Sequence, residues 1–395
     1  MSVAVWSGSL VAWERELAAL KGRIAPVFRR AESRQSAGAF LDGLLSGVER
    51  KTGWLLAEQA GLDRPYRMQS LLGRSHWDAQ ALRDRVRADV IEALGADDGV
   101  LVVDETGFLK KGEHSVGVAR QYSGTAGRID NCQIGVFLAY ASRFGQALID
   151  RRLYLPEAWA NNEARRTKAG VPQEVTFATK PQIACELIAS ALDAGAPCAW
   201  VLADALYGSD SRLRRMLERR GQPYVLAVRS NHLLRFWPEE GLEETDPETM
   251  ADALKSEAWA THAAGEGSKG LRLYEWARIP LSSREDRSFE RWLLIRRSRR
   301  EPNKRAYYFV FAPAGLSLGE LAGAAGLRWT IEECFERAKD DLGLDHCEAR
   351  SWHGWHRHMS LCMAALAFLA RLAADLRRAT WGKANERSPA VPAAA

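Results

Sequence analysis

Three acidic residues stand where carboxylate chemistry is possible: Asp104, Asp204 and Glu332. The apolar run from Gly99 to Val103 reads as a buried strand ending at Asp104, and Ala199 to Ala203 as a second ending at Asp204. Carboxylates at such strand ends project from a sheet edge into a crevice where ligands of α/β proteins bind. Aspartate there is also a common turn residue or helix cap, so neither residue decides the matter alone. The third acid sits in a strong helix former, residues 327–339. At about 100° per residue, Leu327, Ile331, Cys334, Phe335, Ala338 and Leu342 make an apolar stripe. Arg328, Glu332 and Lys339 lie along one border of it, while Glu333, Glu336 and Asp340 fall further round toward solvent. Either Glu332 is held at the core's edge between two cations for a purpose, or the three residues form a surface ion-pair ladder worth tenths of a kcal/mol. Spacing leaves both readings open.

The elements that position these residues fall into regions by period. Residues 1–96 have apolar positions at helical spacing, as in Val11, Leu17, Leu20, Ile24 and Val27, and Ser75 to Asp78 read as an N-cap for a helix through Leu82, Val86 and Val90. This helical region carries Arg29, Arg30, Arg64, Arg67, Arg74, Arg83, Arg85 and Arg87. DNA binding and a solvated helix face are equally consistent with it. Residues 97–230 change period: after the first buried strand come strand-like runs at Val116–Tyr122 and Ile134–Ala141. A helix at Pro181–Ala194, the second buried strand, a helix at Ser209–Arg220 and a strand at Tyr224–Val228 complete the stretch. Such an order builds an α/β fold, a mixed sheet flanked by helices.

Residues 231–315 interrupt the alternation with an acidic segment (Glu239–Glu248) and strand-like runs at Leu271–Ile279, Arg291–Arg297 and Ala306–Ala312. They read as a β-rich insertion forming a separate lobe beside the site. Residues 316–380 return to helix, and 381–395 read as a disordered tail.

The 395 residues are 47% hydrophobic and 27% charged, ordinary globular proportions with length for two or three structural units. A net charge of +5 is compatible with a polyanionic partner but makes no patch by itself. Six cysteines without C-x-x-C pairs fit a reducing cytoplasm better than a disulfide framework. Glu14 and Glu16 break the N-terminal apolar character, and Leu361–Ala370 is too short an apolar stretch to span a bilayer. The sequence therefore reads as cytoplasmic and without a membrane segment.

Val102-Val103-Asp104-Glu105-Thr106-Gly107-Phe108, Ala203-Asp204-Ala205-Leu206-Tyr207-Gly208 and Arg328-Trp329-Thr330-Ile331-Glu332-Glu333 resemble, in order and spacing, the three motifs of DDE-class insertion-sequence transposases. Phe177-Ala178-Thr179-Lys180-Pro181 is similar to a further family stretch. The resemblance covers roughly residues 101–370 and implies a ribonuclease-H-like catalytic domain. A subgroup with a β-rich insertion before the glutamate also carries a Tyr-Arg-Glu-Lys signature. Arg328, Glu332 and Lys339 match it, while Ala325 stands where the tyrosine is expected.

The resemblance implies that Asp104, Asp204 and Glu332 are catalytic and bind two Mg²⁺ ions, with Mn²⁺ as an alternative. Hard carboxylate oxygens suit those ions, which support in-line displacement at phosphorus. Arg328 and Lys339 are implied to hold DNA phosphates. Implied partners are the terminal inverted repeats and the target duplex, with a homodimer as the active form. Glu105 and Glu333 are left as supporting or surface groups. A non-cleaving DNA-binding relative and a nuclease without strand transfer are the competing readings.

The cluster His346, Cys347, His353, His356 and His358 matches no closed zinc pattern, and DNA-backbone contacts and helix packing are expected of it instead. Trp276, Trp292 and Trp329 could stack an unpaired base, with core packing the plainer role for each.

Overall fold

A computed structural model describes residues 10–236, 243–267, 270–281 and 288–386. In chain order the helices α1 (Leu10–Ile24), α2 (Ala31–Leu45), α3 (Gly53–Gln59), α4 (Tyr66–Gly73) and α5 (Ala79–Leu94) come first. Strands β1 (Val100–Leu109), β2 (Ala119–Ser123), β3 (Arg128–Ser142) and β4 (Gly145–Leu153) precede short helices α6 (Glu157–Ala160) and α7 (Glu163–Ala169). Then follow α8 (Lys180–Asp193), β5 (Trp200–Ala203), α9 (Ala205–Gly208), α10 (Ser211–Arg219) and β6 (Tyr224–Val228). The hairpin β7 (Leu234–Phe236) and β8 (Glu243–Thr245) leads to α11 (Pro247–Asp252). Strands β9 (Ala260–Gly267), β10 (Gly270–Leu281), β11 (Phe289–Arg297) and β12 (Arg305–Pro313) come next. Helices α12 (Leu318–Gly326), α13 (Thr330–Asp340) and α14 (Trp352–Glu386) complete the order. The class is α/β, as expected. The described residues group into two compact units.

One unit holds residues 10–96, 106–177 and 333–386. Its centre is α14, which packs on α1, α2, α4, α5 and β4. Residues 352–378 are long and apolar enough to cross a membrane, contrary to the short stretch read from sequence, but 72% of the apolar window is buried within the fold. Its hydrophobicity is matched by that packing. The helix runs to Glu386, into the segment expected to be disordered, and residues 387–395 lie outside the described ones. Asp78, not Ser75, caps α5, accepting from the Gln80 N–H at 2.7 Å. The expected strand at 116–122 begins only at Ala119, because Gly117 takes φ +74°, which an extended strand cannot contain. β3 pairs antiparallel with β2 through its first residues and with β4 through Gly135–Ser142. Arg83 and Arg87 turn inward onto buried Asp150, so they are not part of any DNA-facing surface.

The second unit holds residues 97–105 and 178–332. Its strands run in the order β1-β5-β6-β12-β11-β10-β9. β1, β5 and β6 are parallel. Leu101, Val102, Val103, Val201, Leu202 and Ala203 are all fully buried, which is why these strands read as unbroken apolar runs. Thr179 and Gln182 form a capping box that starts α8.

The β-rich segment is not a separate lobe. β12 pairs antiparallel with β6, Phe309 opposite Leu226, and β11, β10 and β9 extend the same sheet. β6 would otherwise present a row of unpaired backbone groups, and the apolar run of β12 covers that edge. Residues 237–242, within the acidic segment's start, lie outside the described residues.

Candidate active site

The register of β1 and β5, parallel strands with backbones about 4.8 Å apart, places Val103 opposite Ala203, so Asp104 in β1 and Asp204 just past the end of β5 follow side by side. Their backbone settings differ. Asp204 caps α9, with Oδ1 accepting from the N–H groups of Leu206 (2.9 Å) and Tyr207 (3.4 Å). The helix-cap reading is thus true of this residue, and it leaves Oδ2 uncommitted to the cap. Asp104 Oδ1 accepts from the Glu105 N–H at 2.7 Å.

Arg328, in a single 3-10 turn before α13, brings Nη1 to 3.6 Å from Asp104 Oδ2 and donates from Nη2 to Glu332 Oε1 at 3.1 Å. The guanidinium therefore links the first and third acids. The helical stripe on α13 is as expected for Ile331, Cys334, Phe335, Ala338 and Leu342, all buried. Leu327 departs from it and is exposed, because the chain there winds as a 3-10 turn, near 120° per residue. Glu332 is half-buried and Glu333 exposed. Lys339 belongs to the other unit, where Nζ donates to Thr125 Oγ1 at 3.0 Å, and burial lowers its pKa.

Three further residues complete this surround: Glu105, which the sequence left as a supporting or surface group, and Lys180 and Tyr207, which sequence reasoning passed over. Glu105 accepts from Lys180 Nζ at 2.6 Å and from the buried Tyr207 hydroxyl. It is a tethered carboxylate, not a free surface group. Lys180 lies in the stretch already noted for its resemblance, and Tyr207 follows Asp204 by three residues. Their side-chain partnership with Glu105 was not legible from spacing.

The electrostatics are those of crowded, desolvated acids. Burial, then the charge of Asp204, pushes the Asp104 carboxyl up to about 7, against the opposing Glu105 N–H and Arg328. Burial, then Glu105, raises Asp204, while its two capping N–H groups oppose the rise. Burial and Glu105 also raise the Tyr207 hydroxyl well above its usual range, so it stays a donor. Four carboxylates, Asp104, Glu105, Asp204 and Glu332, face two cations, Lys180 and Arg328, so acidic groups outnumber basic ones. Hard oxygen donors with uncompensated charge fit a divalent cation in kind. Among the described residues, however, no three His, Cys, Asp or Glu side chains stand together as a ready-made metal site. Glu332 is engaged by Arg328, and only its release would free a third acid.

The histidine cluster is structural where it is buried. His356 Nδ1 bonds the Trp352 carbonyl, His358 Nε2 the Gly343 carbonyl, and His346 Nδ1 accepts from the Lys51 N–H. Buried His356 and His358 cannot serve the DNA-backbone contacts expected of the cluster. Trp276 is fully buried and stacks with Tyr308, which leaves no face for a base. Trp292 lies under Arg278, while Trp329 remains 49% exposed beneath Arg272.

Residues 23–269 match the family described as DDE superfamily endonuclease, and residues 181–368 match the transposase DDE domain. The probable transposase for insertion sequence element IS701 of Microchaete diplosiphon is 25% identical over 308 residues, 76% of this chain and 73% of its own length. The NurA nuclease of Sulfolobus solfataricus overlays 65% of this chain and 85% of its own with a TM-score of 0.30 at 11% identity.

Proposed function

Because the chain belongs to the DDE superfamily endonucleases and is an insertion-sequence transposase of the DDE class, we propose that it cuts and joins DNA ends at Asp104, Asp204 and Glu332. The observation that carries this reading is the β1–β5 register, which sets two desolvated aspartates side by side with Arg328 linking the first to Glu332. In the cutting step the oxygen of water adds to a phosphorus at the element's end, the bond to the 3′ oxygen breaks, and that oxygen leaves with a proton. In the joining step the freed 3′-hydroxyl adds to a target phosphorus, and the displaced target 3′ oxygen takes the proton.

Asp104, Asp204 and Glu332 are the residues that would hold two Mg²⁺ ions, or Mn²⁺. Bound there, such ions polarise the phosphoryl group and offset charge on the entering and leaving oxygens. Arg328 then exchanges Glu332 for a DNA phosphate, for which its planar fork is well shaped. Lys339 is assigned a second phosphate. Lys180 and Tyr207 hold Glu105 in place beside the aspartates. The substrates are the terminal inverted repeats and a target duplex, the active form is a homodimer, and the cytoplasm is the place of action.

The test is a plasmid carrying the DNA that flanks the reading frame, incubated with purified protein and Mg²⁺. Nicks at the element's ends and joined products are expected, both abolished by EDTA. Binding without nicks in Mg²⁺ or Mn²⁺ overturns the assignment in favour of a non-cleaving protein. Nicks without joined products favour a nuclease.

A further inference from the structure

Helices α2, α4 and α14 pack on one another in the first unit, and residues 346–351, just before α14, help to wall a cavity of about 240 Å³ at their junction. Its floor is apolar: Phe40 from α2 and Met68 from α4 are buried, with Leu72 beside them. Pockets for small molecules have this make-up, an apolar lining with a few placed polar groups. The volume suits a molecule of one or two rings. Asp104, Asp204 and Glu332 do not line it.

Two imidazoles supply the polar groups, and their neighbours fix which nitrogen carries the proton. His358 is 1% exposed, and its Nε2 lies 3.0 Å from the Gly343 carbonyl, which can only accept. Nε2 therefore holds the hydrogen, and burial, which pulls this pKa down to about 4, keeps the ring neutral. Nδ1 is left as a bare lone pair. No donor among the described residues meets it, and it is not sealed from the cavity that its ring lines. His346 is the converse. Its Nδ1 accepts the Lys51 N–H at 3.1 Å, so the proton sits on Nε2. The Asp345 carboxylate, 3.8 Å from that Nε2, is beyond hydrogen-bond reach. The cavity thus offers one ring acceptor and one ring donor.

The charged residues of the lining are spent or peripheral. Lys51 Nζ donates to the carbonyls of Gly43 and Ser46 at 3.3 and 2.7 Å. Glu348 and Arg350 are exposed and opposite in sign. A neutral guest is therefore favoured over an ion, whose desolvation costs far more unless a partner charge meets it.

We propose that this cavity binds a small neutral heteroaromatic ring carrying an N–H and a carbonyl, a molecule of the lactam class. Phe40, Met68 and Leu72 pack against the ring, its N–H donates to His358 Nδ1, and its carbonyl accepts from His346 Nε2–H. The guest bridges α14 to the segment before it, so occupancy stabilises the folded protein. None of the three acids takes part, and the claim stands apart from the cutting and joining chemistry.

The test is calorimetric titration of the full chain with 2-quinolone, a neutral two-ring lactam, paired with thermal melting. Binding that raises Tm with ligand concentration is expected. N-methyl-2-quinolone lacks the donor, and quinoline lacks both donor and carbonyl. Each should bind more weakly by about tenfold or more, because a buried imidazole nitrogen is then left unpaired. Gly73 lines the cavity, and a Cβ there would meet nothing within 4 Å. Gly73→Leu should therefore fill the space and abolish binding without loss of the fold. His346→Asn keeps an acceptor for the Lys51 N–H but loses the Nε2 donor. It should weaken 2-quinolone by about tenfold and leave quinoline unchanged. Thermal melting without ligand shows that each variant is folded. Absence of 2-quinolone binding up to the limit of its solubility overturns the proposal, as does equal binding by the parent and folded Gly73→Leu. Tighter binding of benzoate than of 2-quinolone also overturns it, being the mark of an anion site at Lys51 and Arg350.

Discussion

Arg328 lies 3.6 Å from Asp104, and its positive charge restrains the rise in that carboxyl's pKa. Removing the charge should let the pKa climb beyond about 7. Calorimetric Mg²⁺ binding to Arg328→Ala, without DNA, should then need a higher pH than the parent requires, since a ligand must lose its proton to bind. Arg328→Lys should keep the parent's pH dependence while nicking slows at least tenfold, because an ammonium cannot make the two-pronged contact. Identical binding–pH curves for parent and Arg328→Ala would show the restraint to be absent.

The same carboxyl links pH to stability. Its pKa rises from 3.8 to about 7 in the folded protein, so the folded state binds the proton more tightly than the unfolded chain. The stabilisation from that proton is complete below about pH 4 and is lost as pH rises through about 7. Metal-free Asp104→Asn should therefore be more stable than the parent at pH 8, by on the order of 4 kcal/mol, and lose that advantage at pH 4. Mg²⁺ should raise the parent's Tm at pH 8 and leave the variant's unchanged. Thermal melting across this pH range, with and without the ion, checks both points.

Alanine at Glu332 should abolish nicking while leaving duplex binding largely intact. Alanine at Glu333, which is exposed and accepts from Gln146, should cost about twofold or less. The paired nicking assay separates them, and activity that survives the first substitution but not the second would remove Glu332 from the site.

Gly208 closes the short helix that begins at Asp204, and a Cβ there would lie 2.0 Å from the Ala227 carbonyl oxygen of β6. Gly208→Ala should push α9 off the strand and destabilise the protein by about 1–3 kcal/mol. Nicking should fall more than the folded fraction does, because Asp204 is carried on the displaced turn. Chemical unfolding with a parallel rate measurement gives both numbers; an unaltered midpoint would mean that α9 relaxes freely.

Local chemistry was legible in the sequence because it repeats along the chain. The buried runs before Asp104 and Asp204, the period of α13, the helix starting near Pro181 and the strand at Tyr224–Val228 each follow from the order of apolar and capping residues. That Asp104 and Asp204 lie abreast is a matter of strand register between segments a hundred residues apart, and periodicity within either segment is silent on it. Tertiary structure alone joined β12 to β6, since an open sheet edge accepts whichever strand the fold delivers. It also turned Arg83 and Arg87 inward onto Asp150, buried His356 and His358 in α14's packing, and tied Glu105 to Lys180 and Tyr207. A side chain's type and spacing determine what chemistry it can offer. Which charges are desolvated together, and which are spent on one another, depends on long-range packing that no local pattern encodes.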